Sequence, residues 1–316
     1  MNFDFVIHAF WDLVVTGLTQ GSIYALVALG YTLVYGVLRL INFAHSEVFM
    51  VGTFTAFLVW SWLGLGLDSK VPALVVVLGY IAIAAVAAAL ASGGTALVLE
   101  LVAYRPLRRR NAPSLIFLIS AIGASLALME AVGLAVHRQQ RNIPVLVQPK
   151  AVFHLFDATV YNLQIAIVVS ALVMMFALDT FINRTRLGLG VRAVAQDQQT
   201  ALLMGVNRDR VIMLVFLLGG LMAGFAAVLY DVKTGVTTYD VGFNLGIAAF
   251  AAAVLGGIGN LRGALLGGLL LGVVESFGAG LFGNGWRNVV VFVVLVLVLL
   301  FRPTGLLGES LGRARV

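Results

Sequence analysis

Residues 161–230 read YNLQIAIVVSALVMMFALDTFIN, then RTRLGLGVRAVAQDQQTALLMGVNRDR, then VIMLVFLLGGLMAGFAAVLY, the middle block running from Arg184 to Arg210. Two apolar runs, each about the length that crosses a bilayer, flank a polar stretch of 27 residues holding five of the chain's 20 basic residues. Polar backbone and charge at lipid depth go unsatisfied, so this stretch must meet water or a partner protein. Within it, Val191 to Met204 contains neither Gly nor Pro and many good helix formers. That predicts a short helix lying outside the bilayer. A membrane chain that displays such a helix to the cytoplasm presents it to something. The pattern suits the membrane half of a machine driven from outside the membrane.

The rest of the composition agrees. Of 316 residues, 61% are hydrophobic and 11% charged, with a mean hydropathy of +1.04. Soluble domains carry roughly 25% charged residues, so the chain reads as an all-α polytopic membrane protein. Its 35 glycines suit helices whose backbones approach closely. The absence of cysteine excludes disulfides, thiolate catalysis and Cys-ligated metals. A net charge of +6 and a pI near 9.9 do not require nucleic acid, because basic cytoplasmic loops give a lipid-embedded protein the same balance. No nucleic-acid partner is expected. The start, MNFDFVIHAFWD, has no basic residue before its apolar run and no small-residue cleavage site, so it does not read as a removable signal peptide.

Nine apolar runs fall near 13–38, 46–64, 72–103, 113–136, 160–183, 209–231, 242–258, 264–281 and 286–301. They support eight or nine transmembrane helices. The third is overlong and contains Ser92-Gly93-Gly94, so tilting, kinking or a break is expected there; the seventh is short enough for a half-helix. Basic residues cluster at Arg105, Arg108, Arg109 and Arg110, at Arg184, Arg186, Arg192, Arg208 and Arg210, and at Arg302, Arg313 and Arg315. Placing these inside with Arg39 and Arg262 leaves only Lys70, Arg138, Arg141, Lys150, Lys233 and Arg287 outside or at that interface. The scheme needs nine crossings and an external N-terminus; eight would change one end. It makes 184–210 a cytoplasmic loop. It also leaves a large external loop at 137–159, whose Pro144, Pro149 and scattered apolar residues suit a packed surface piece. No linker divides the chain, which reads as one membrane domain over 1–316.

Polar residues inside apolar runs are the candidates for function. In GLTQGSIYAL, Gln20, Ser22 and Tyr24 must find partners in lipid; they are read as interhelical hydrogen-bonding groups or as the lining of a translocation path. Gly17 and Gly21 have the small-xxx-small spacing, as do Gly220/Gly224, Gly263/Gly267 and Gly268/Gly272. In RLINFAHSEVFM, Asn42, His45 and Glu47 join the path candidates. Ser46 or Asn42 is expected to cap the helix that follows, with Glu47 favoured in its first turn. A charge at the bilayer centre costs about 3 kcal/mol, which places these residues near an interface. His45 and Glu47, two apart, share no helical face, so no metal site is expected. Glu100, Glu130 and Glu275 are lone carboxylates expected to pair with a neighbour or end a helix. Gly256 to Gly259 should interrupt a helix, with Asn260 and Arg262 facing water; Gly257 and Gly259 are the last path candidates. There is no nucleophile elbow, zinc helix or dinucleotide loop, and no catalytic residue is assigned. The three lysines, Lys70, Lys150 and Lys233, none after a Gly, leave no phosphate-binding P-loop. If ATP drives the protein, the ATPase is another chain.

Three segments together resemble one family, the LivH-type permeases of branched-chain amino acid ABC transporters. They are GLTQGSIYALVALGYTLVYGVLRLINFAHSEVFM at Gly17–Met50, the loop Arg192–Arg210, and AAVLGGIGNLRGALLGGLLLGVVES at 252–276. The likeness runs in the same order over nearly the whole chain. Two departures stand out: Ser46 where the family commonly has Gly, and Asn260-Leu261-Arg262 in place of Ser-Leu-Pro. Gln199-Thr200-Ala201, three residues and then Gly205 resemble a degraded EAA loop. The resemblance makes this the coupling helix, with Arg192, Gln196, Asp197, Gln199, Ala201, Leu202 and Gly205 facing a nucleotide-binding subunit.

It further implies an importer subunit in the cytoplasmic membrane of a bacterium or archaeon. Its partners would be a second, LivM-type permease, two ATPase subunits holding ATP and Mg, and an external solute-binding protein. The chain itself would bind no cofactor and perform no covalent chemistry. Leucine, isoleucine and valine are the expected solutes, while related permeases serve urea and short amides. The competing class is an ion-coupled secondary transporter, which would show inverted repeats and paired broken helices; one late Gly-rich break stands out, without a counterpart in the first half. An intramembrane enzyme lacks a catalytic set.

Overall fold

The computed structural model describes residues 3–66, 74–156 and 158–308. Lys70, Arg313 and Arg315, used above for orientation, lie outside the described residues. Each apolar run is helical. In chain order these helices, with two short ones between the fifth and sixth runs, are α1 (Phe10–Leu38), α2 (His45–Trp62), α3 (Val75–Arg109), α4 (Ser114–Ala135), α5 (Asn162–Arg184), α6 (Arg186–Gln196), α7 (Gln198–Leu203), α8 (Arg208–Thr234), α9 (Val241–Gly256), α10 (Leu261–Phe282) and α11 (Arg287–Phe301). Among the described residues seven are long and apolar enough to cross a membrane, α11 when taken with the helical turn Asn284–Trp286 before it; α9 is shorter, and α2 opens on the polar His45-Ser46-Glu47. Val75, Val86, Leu90 and Phe176 are exposed, as expected of helix faces that lipid covers. This is an all-α, multi-pass membrane protein.

Two expectations about helix ends change. Of the tilt, kink or break expected at Ser92-Gly93-Gly94, the break does not occur: α3 is continuous, with a π-helical turn further on at Glu100–Tyr104. The reason is packing: a Cβ on Gly220 of α8 would sit 2.7 Å from the Ser92 carbonyl oxygen, and the Ser92 hydroxyl donates to Val48 O of α2 at 2.9 Å. Small residues here admit a neighbour and do not end the helix. Conversely, the single helix expected over Val191–Met204 is two. Thr185 caps α6, accepting from Gly188 N at 3.0 Å, so that helix begins earlier. Asp197 is extended (φ −149°) and caps α7, which splits the segment.

The chain forms two compact units; three of their four boundaries fall within α1, α5 and α9 and the fourth in the loop after Pro149. One comprises 1–32, 150–179 and 247–316. Here two glycine pairs noted separately in the sequence meet each other. A Cβ on Gly17 would stand 2.6 Å from Val273 Cα, Gly21 abuts Gly268, and Gly272 abuts Gly17 and Gly21. Only helices without side chains at these positions could cross so closely. The break between α9 and α10 also lies in this unit. Gly257 (φ +104°) and Gly259 (φ +101°) occupy conformations open to glycine. Asn260 caps α10 through Gly263 N (3.1 Å) and donates from Nδ2 to Leu307 O (2.9 Å). Leu306 N and Leu307 N donate to Leu255 O and Gly256 O at 2.8 and 3.0 Å, so the backbone groups freed by the break are met by the turn at 302–308. Arg262 pairs with Asp179 at 3.2 Å.

The other unit comprises 33–149 and 180–246. In it α8 packs on α2 and α3 through Gly52, Gly220 and Gly224. A cluster of Ala56, Trp60, Val77, Ala84, Ala88, Ile143, Leu146 and Val228 extends this core. Ile143 and Leu146 come from the 137–159 loop, so its first half is packed as expected. Its strand β1 (Arg141–Asn142) pairs with β4 (Val236–Thr237). The second half is different: β2 (Ala151–Leu155) and β3 (Ala158–Tyr161) form a hairpin in the first unit with β2 exposed.

Candidate functional site

The loop at 184–210 is built from its caps. Asp197 Oδ1 accepts from Gln199 N (2.8 Å) and Thr200 N (3.3 Å), and its Oδ2 accepts from the Thr200 hydroxyl (2.7 Å). The hydroxyl of Thr200, and then the two backbone N–H groups, hold the Asp197 carboxyl below the usual aspartate range. At the other end of α7, Gly205 N donates to Leu202 O and Val206 N to Ala201 O, both at 3.0 Å, with Gly205 at φ +85°. This is a Schellman closure. Between the caps, Ala201 is buried, whereas Leu202, Leu203 and Met204 are 47%, 88% and 80% exposed. An open depression of about 350 Å³ lies beside them, lined by Leu202, Gly205, Val206, Asn207, Arg208 and Asp209.

The sequence-derived coupling residues therefore divide. Asp197, Ala201 and Gly205 shape α7, and Leu202 with exposed Gln199 and Gln196 faces outward. Arg192 folds back, donating from Nη1 to Asn183 Oδ1 at 3.1 Å and Asn183 O at 3.2 Å. Gln198 points inward instead, its Nε2 donating to Val37 O of α1 at 2.9 Å.

The polar helix residues fall into two separate groups. In the first unit the Tyr24 side chain hydrogen-bonds with Gln20 and Glu275, so Gln20 and Tyr24 come together with a carboxylate from α10. Ser22 does not join them; its hydroxyl returns to Leu18 O at 2.8 Å. In the second unit, neither Asn42 nor Ser46 caps α2: its N-cap is Ala44, and the Ser46 hydroxyl donates to Phe43 O at 2.8 Å. Asn42 instead accepts from the Tyr104 hydroxyl at 2.8 Å. Glu47 is fully buried; its Oε1 accepts from Ser125 at 3.3 Å and Ser46 at 3.5 Å. A Cβ on Gly242, at the start of α9, would lie 2.6 Å from Glu47 Oε2. His45 is buried beside them.

Sequence reading missed Ser125, Tyr104 and Gly242 as partners of this group. It also missed the ion cluster at the C-terminal end of α3. Glu100, 0% exposed, receives Arg108 Nη2 at 2.8 Å and approaches Arg105 at 3.1 Å, and the same Arg108 nitrogen reaches Asp209 of α8 at 2.9 Å. Counting i+5 and i+8 from Glu100 would have found its two arginines; nothing local points to Asp209. Glu130 pairs with Arg138 at 2.6 Å, so each lone carboxylate has a partner.

The family model for the branched-chain amino acid transport system permease component matches residues 13–299. Over 96% of this chain and 97% of its own length, the high-affinity branched-chain amino acid transport system permease protein BraD of Pseudomonas aeruginosa is 46% identical. The permease protein LivH of the corresponding system is 42% identical in both Salmonella typhimurium and Escherichia coli, over 93% of this chain and 94% of theirs. No solved structure matches the chain. Glycine crossings, a capped polar loop between apolar helices and this likeness over nearly the full length agree: the chain belongs to the branched-chain amino acid transport permease family.

Proposed function

We propose that the chain is the membrane-spanning permease subunit of an ATP-driven importer for branched-chain amino acids, in the cytoplasmic membrane of a bacterium or archaeon. It forms the translocation path with a second, LivM-type permease. Two separate ATPase subunits, which bind ATP and Mg, drive it, and an external solute-binding protein delivers the solute. The chain holds no cofactor and makes or breaks no covalent bond.

The observation that carries this reading is the tip of α7. Three consecutive apolar residues, Leu202, Leu203 and Met204, are exposed on a polar loop and held there by an N-cap and a glycine closure. Exposed apolar surface of this kind marks a docking site, and a nucleotide-binding subunit is the partner proposed for it. Docking would bias a two-state membrane element toward one access. Gln20 and Tyr24 in the first unit, and separately Asn42, His45 and Glu47 in the second, are proposed as polar path residues, with Ser22 satisfied by its own helix and Gly257 and Gly259 shaping the break.

The test is mass spectrometry of the chains that co-purify with this one from its native membrane, followed by uptake in proteoliposomes. Two P-loop ATPases, a second permease and ATP-dependent leucine uptake support the proposal. Uptake of urea or acetamide in place of leucine would reassign the solute. Ion-driven uptake by this chain alone would replace the whole reading with a secondary transporter.

A further inference from the structure

Between the loop and the path residues runs a chain of polar contacts that neither docking nor solute binding explains. Asp209, two residues into α8, lines the depression beside α7 and accepts from Arg108 Nη2 at 2.9 Å. The same nitrogen donates to Glu100 Oε1 at 2.8 Å, at the start of the π-helical turn Glu100–Tyr104. Tyr104, at the other end of that turn, is 1% exposed and donates its hydroxyl to Asn42 Oδ1 at 2.8 Å. Asn42 O in turn accepts from the backbone N–H of His45, the first residue of α2, at 3.1 Å. Two residues on is Glu47, held by Ser125. A second strand of the network reaches the same place: Gln198 of α7 holds Val37 O, in the last turn of α1, just before the α1–α2 break where Arg39 takes φ +54°.

Three features make this more than surface pairing. The arginine is nearly buried, with 9% side-chain exposure, and Glu100 is fully so; ion pairs out of water are stiff and costly to break. Arg108 uses one nitrogen for both carboxylates, while its Nε and Nη1 have no hydrogen-bond partner among the described residues. The guanidinium can therefore shift between Glu100 and Asp209 without leaving either charge far away. The turn it anchors is π-helical, a form that recurs at functional places in helices. Tyr104 also lies against Phe216 of α8, ring centroids 5.2 Å apart, so a displacement of α8 reaches the tyrosine by two routes.

We infer that Asp209, Arg108, Glu100 and Tyr104 are positioning residues that carry movement of the α7 loop to Asn42 and the first turn of α2. This rests on the coupling role proposed for α7. It adds where the force goes: into the α1–α2 break and the buried group around Glu47.

The experiment uses the complete complex, with its co-purifying subunits, in proteoliposomes. It reads solute moved per ATP hydrolysed for Tyr104→Phe, Asp209→Asn and the double variant. Tyr104→Phe removes one buried hydroxyl and touches no surface, so its complex should retain the ATPase subunits. Loss of a hydrogen bond to a charged group predicts about a tenfold lower ratio for Asp209→Asn, and a neutral bond about a fivefold lower one for Tyr104→Phe. If both lie on one relay, the double variant is no worse than Asp209→Asn, and Asp209→Glu restores most of the ratio. Losses that multiply in the double variant would overturn the relay, as would an unchanged ratio in Tyr104→Phe. Wild-type complex that holds no ATPase subunit would instead bring down the coupling reading on which the relay stands.

Discussion

Gly205 offers a perturbation whose cause can be isolated. Its φ of +85° lies where residues with a side chain are strained, yet a Cβ built there meets nothing within 4 Å. Any effect of substitution is therefore conformational and not a clash within this chain. An L-residue forced into the left-handed region costs about 1–2 kcal/mol, with alanine near the low end, β-branched valine at or above the high end, and asparagine tolerated. The helix it closes, α7, has six residues, too few to be stable alone, so little else resists fraying. A cost of about 2 kcal/mol lowers the ratio of closed to open loop by about thirtyfold. Solute moved per ATP hydrolysed, measured in proteoliposomes, should fall in the order Gly205→Asn, Gly205→Ala, Gly205→Val, with asparagine close to wild type. Equal transport by the valine and asparagine variants would refute the reasoning. A uniform loss in all three would place the glycine against a partner's surface.

Three further outcomes follow from the geometry. Because the Asp197 carboxyl titrates below the ordinary range, the cap it forms is complete above the usual aspartate pKa and is lost only as pH falls through the lowered value. Protection of the Gln199 and Thr200 amides should thus hold across neutral and mildly acidic pH, and Asp197→Asn should abolish the acid transition; a transition near pH 6 would contradict this. Gly268→Leu should prevent α1 and α10 from crossing and abolish accumulation of folded protein, while Gly94→Leu, where nothing stands within 4 Å, should accumulate normally in the same membrane blot. Ser92→Ala removes the bond to Val48 O and should cost about 0.6 kcal/mol in detergent-denaturant unfolding; a loss several times larger would mean the hydroxyl supports more than that bond.

The helices were legible because a lipid-embedded chain writes its spans as runs of apolar residues, and Gly17, Gly21, Gly268 and Gly272 were legible as close-packing sites from spacing alone. That they pack on one another was not, since spacing says only that some backbone must approach. Asp197 was misread as a helix interior: its side chain competes for backbone N–H groups, and an Asp followed three residues later by Thr200 is a start signal that the apolar pattern on both sides concealed. The arginines at 105 and 108 were counted as topology markers, since positive-inside bookkeeping treats each as a free charge. Their partners Glu100 and Asp209 lie inside or beyond a whole span. The Arg108–Asp209 and Tyr104–Asn42 contacts join residues 101 and 62 positions apart, and no helical period links such pairs.

The turn at 302–308 has a consequence for biogenesis. The carbonyls of Leu255 and Gly256, and the side chain of Asn260, are met by Leu306 and Leu307, with 47 residues separating Asn260 from Leu307. At roughly 5–20 residues per second, synthesis leaves that break uncapped for several seconds after it emerges. During that interval α9 and α10 sit at the membrane with open backbone groups, and a stalled or shortened chain never leaves that state. Closure of the α9–α10 break is thus a late step, waiting on partners made well after it.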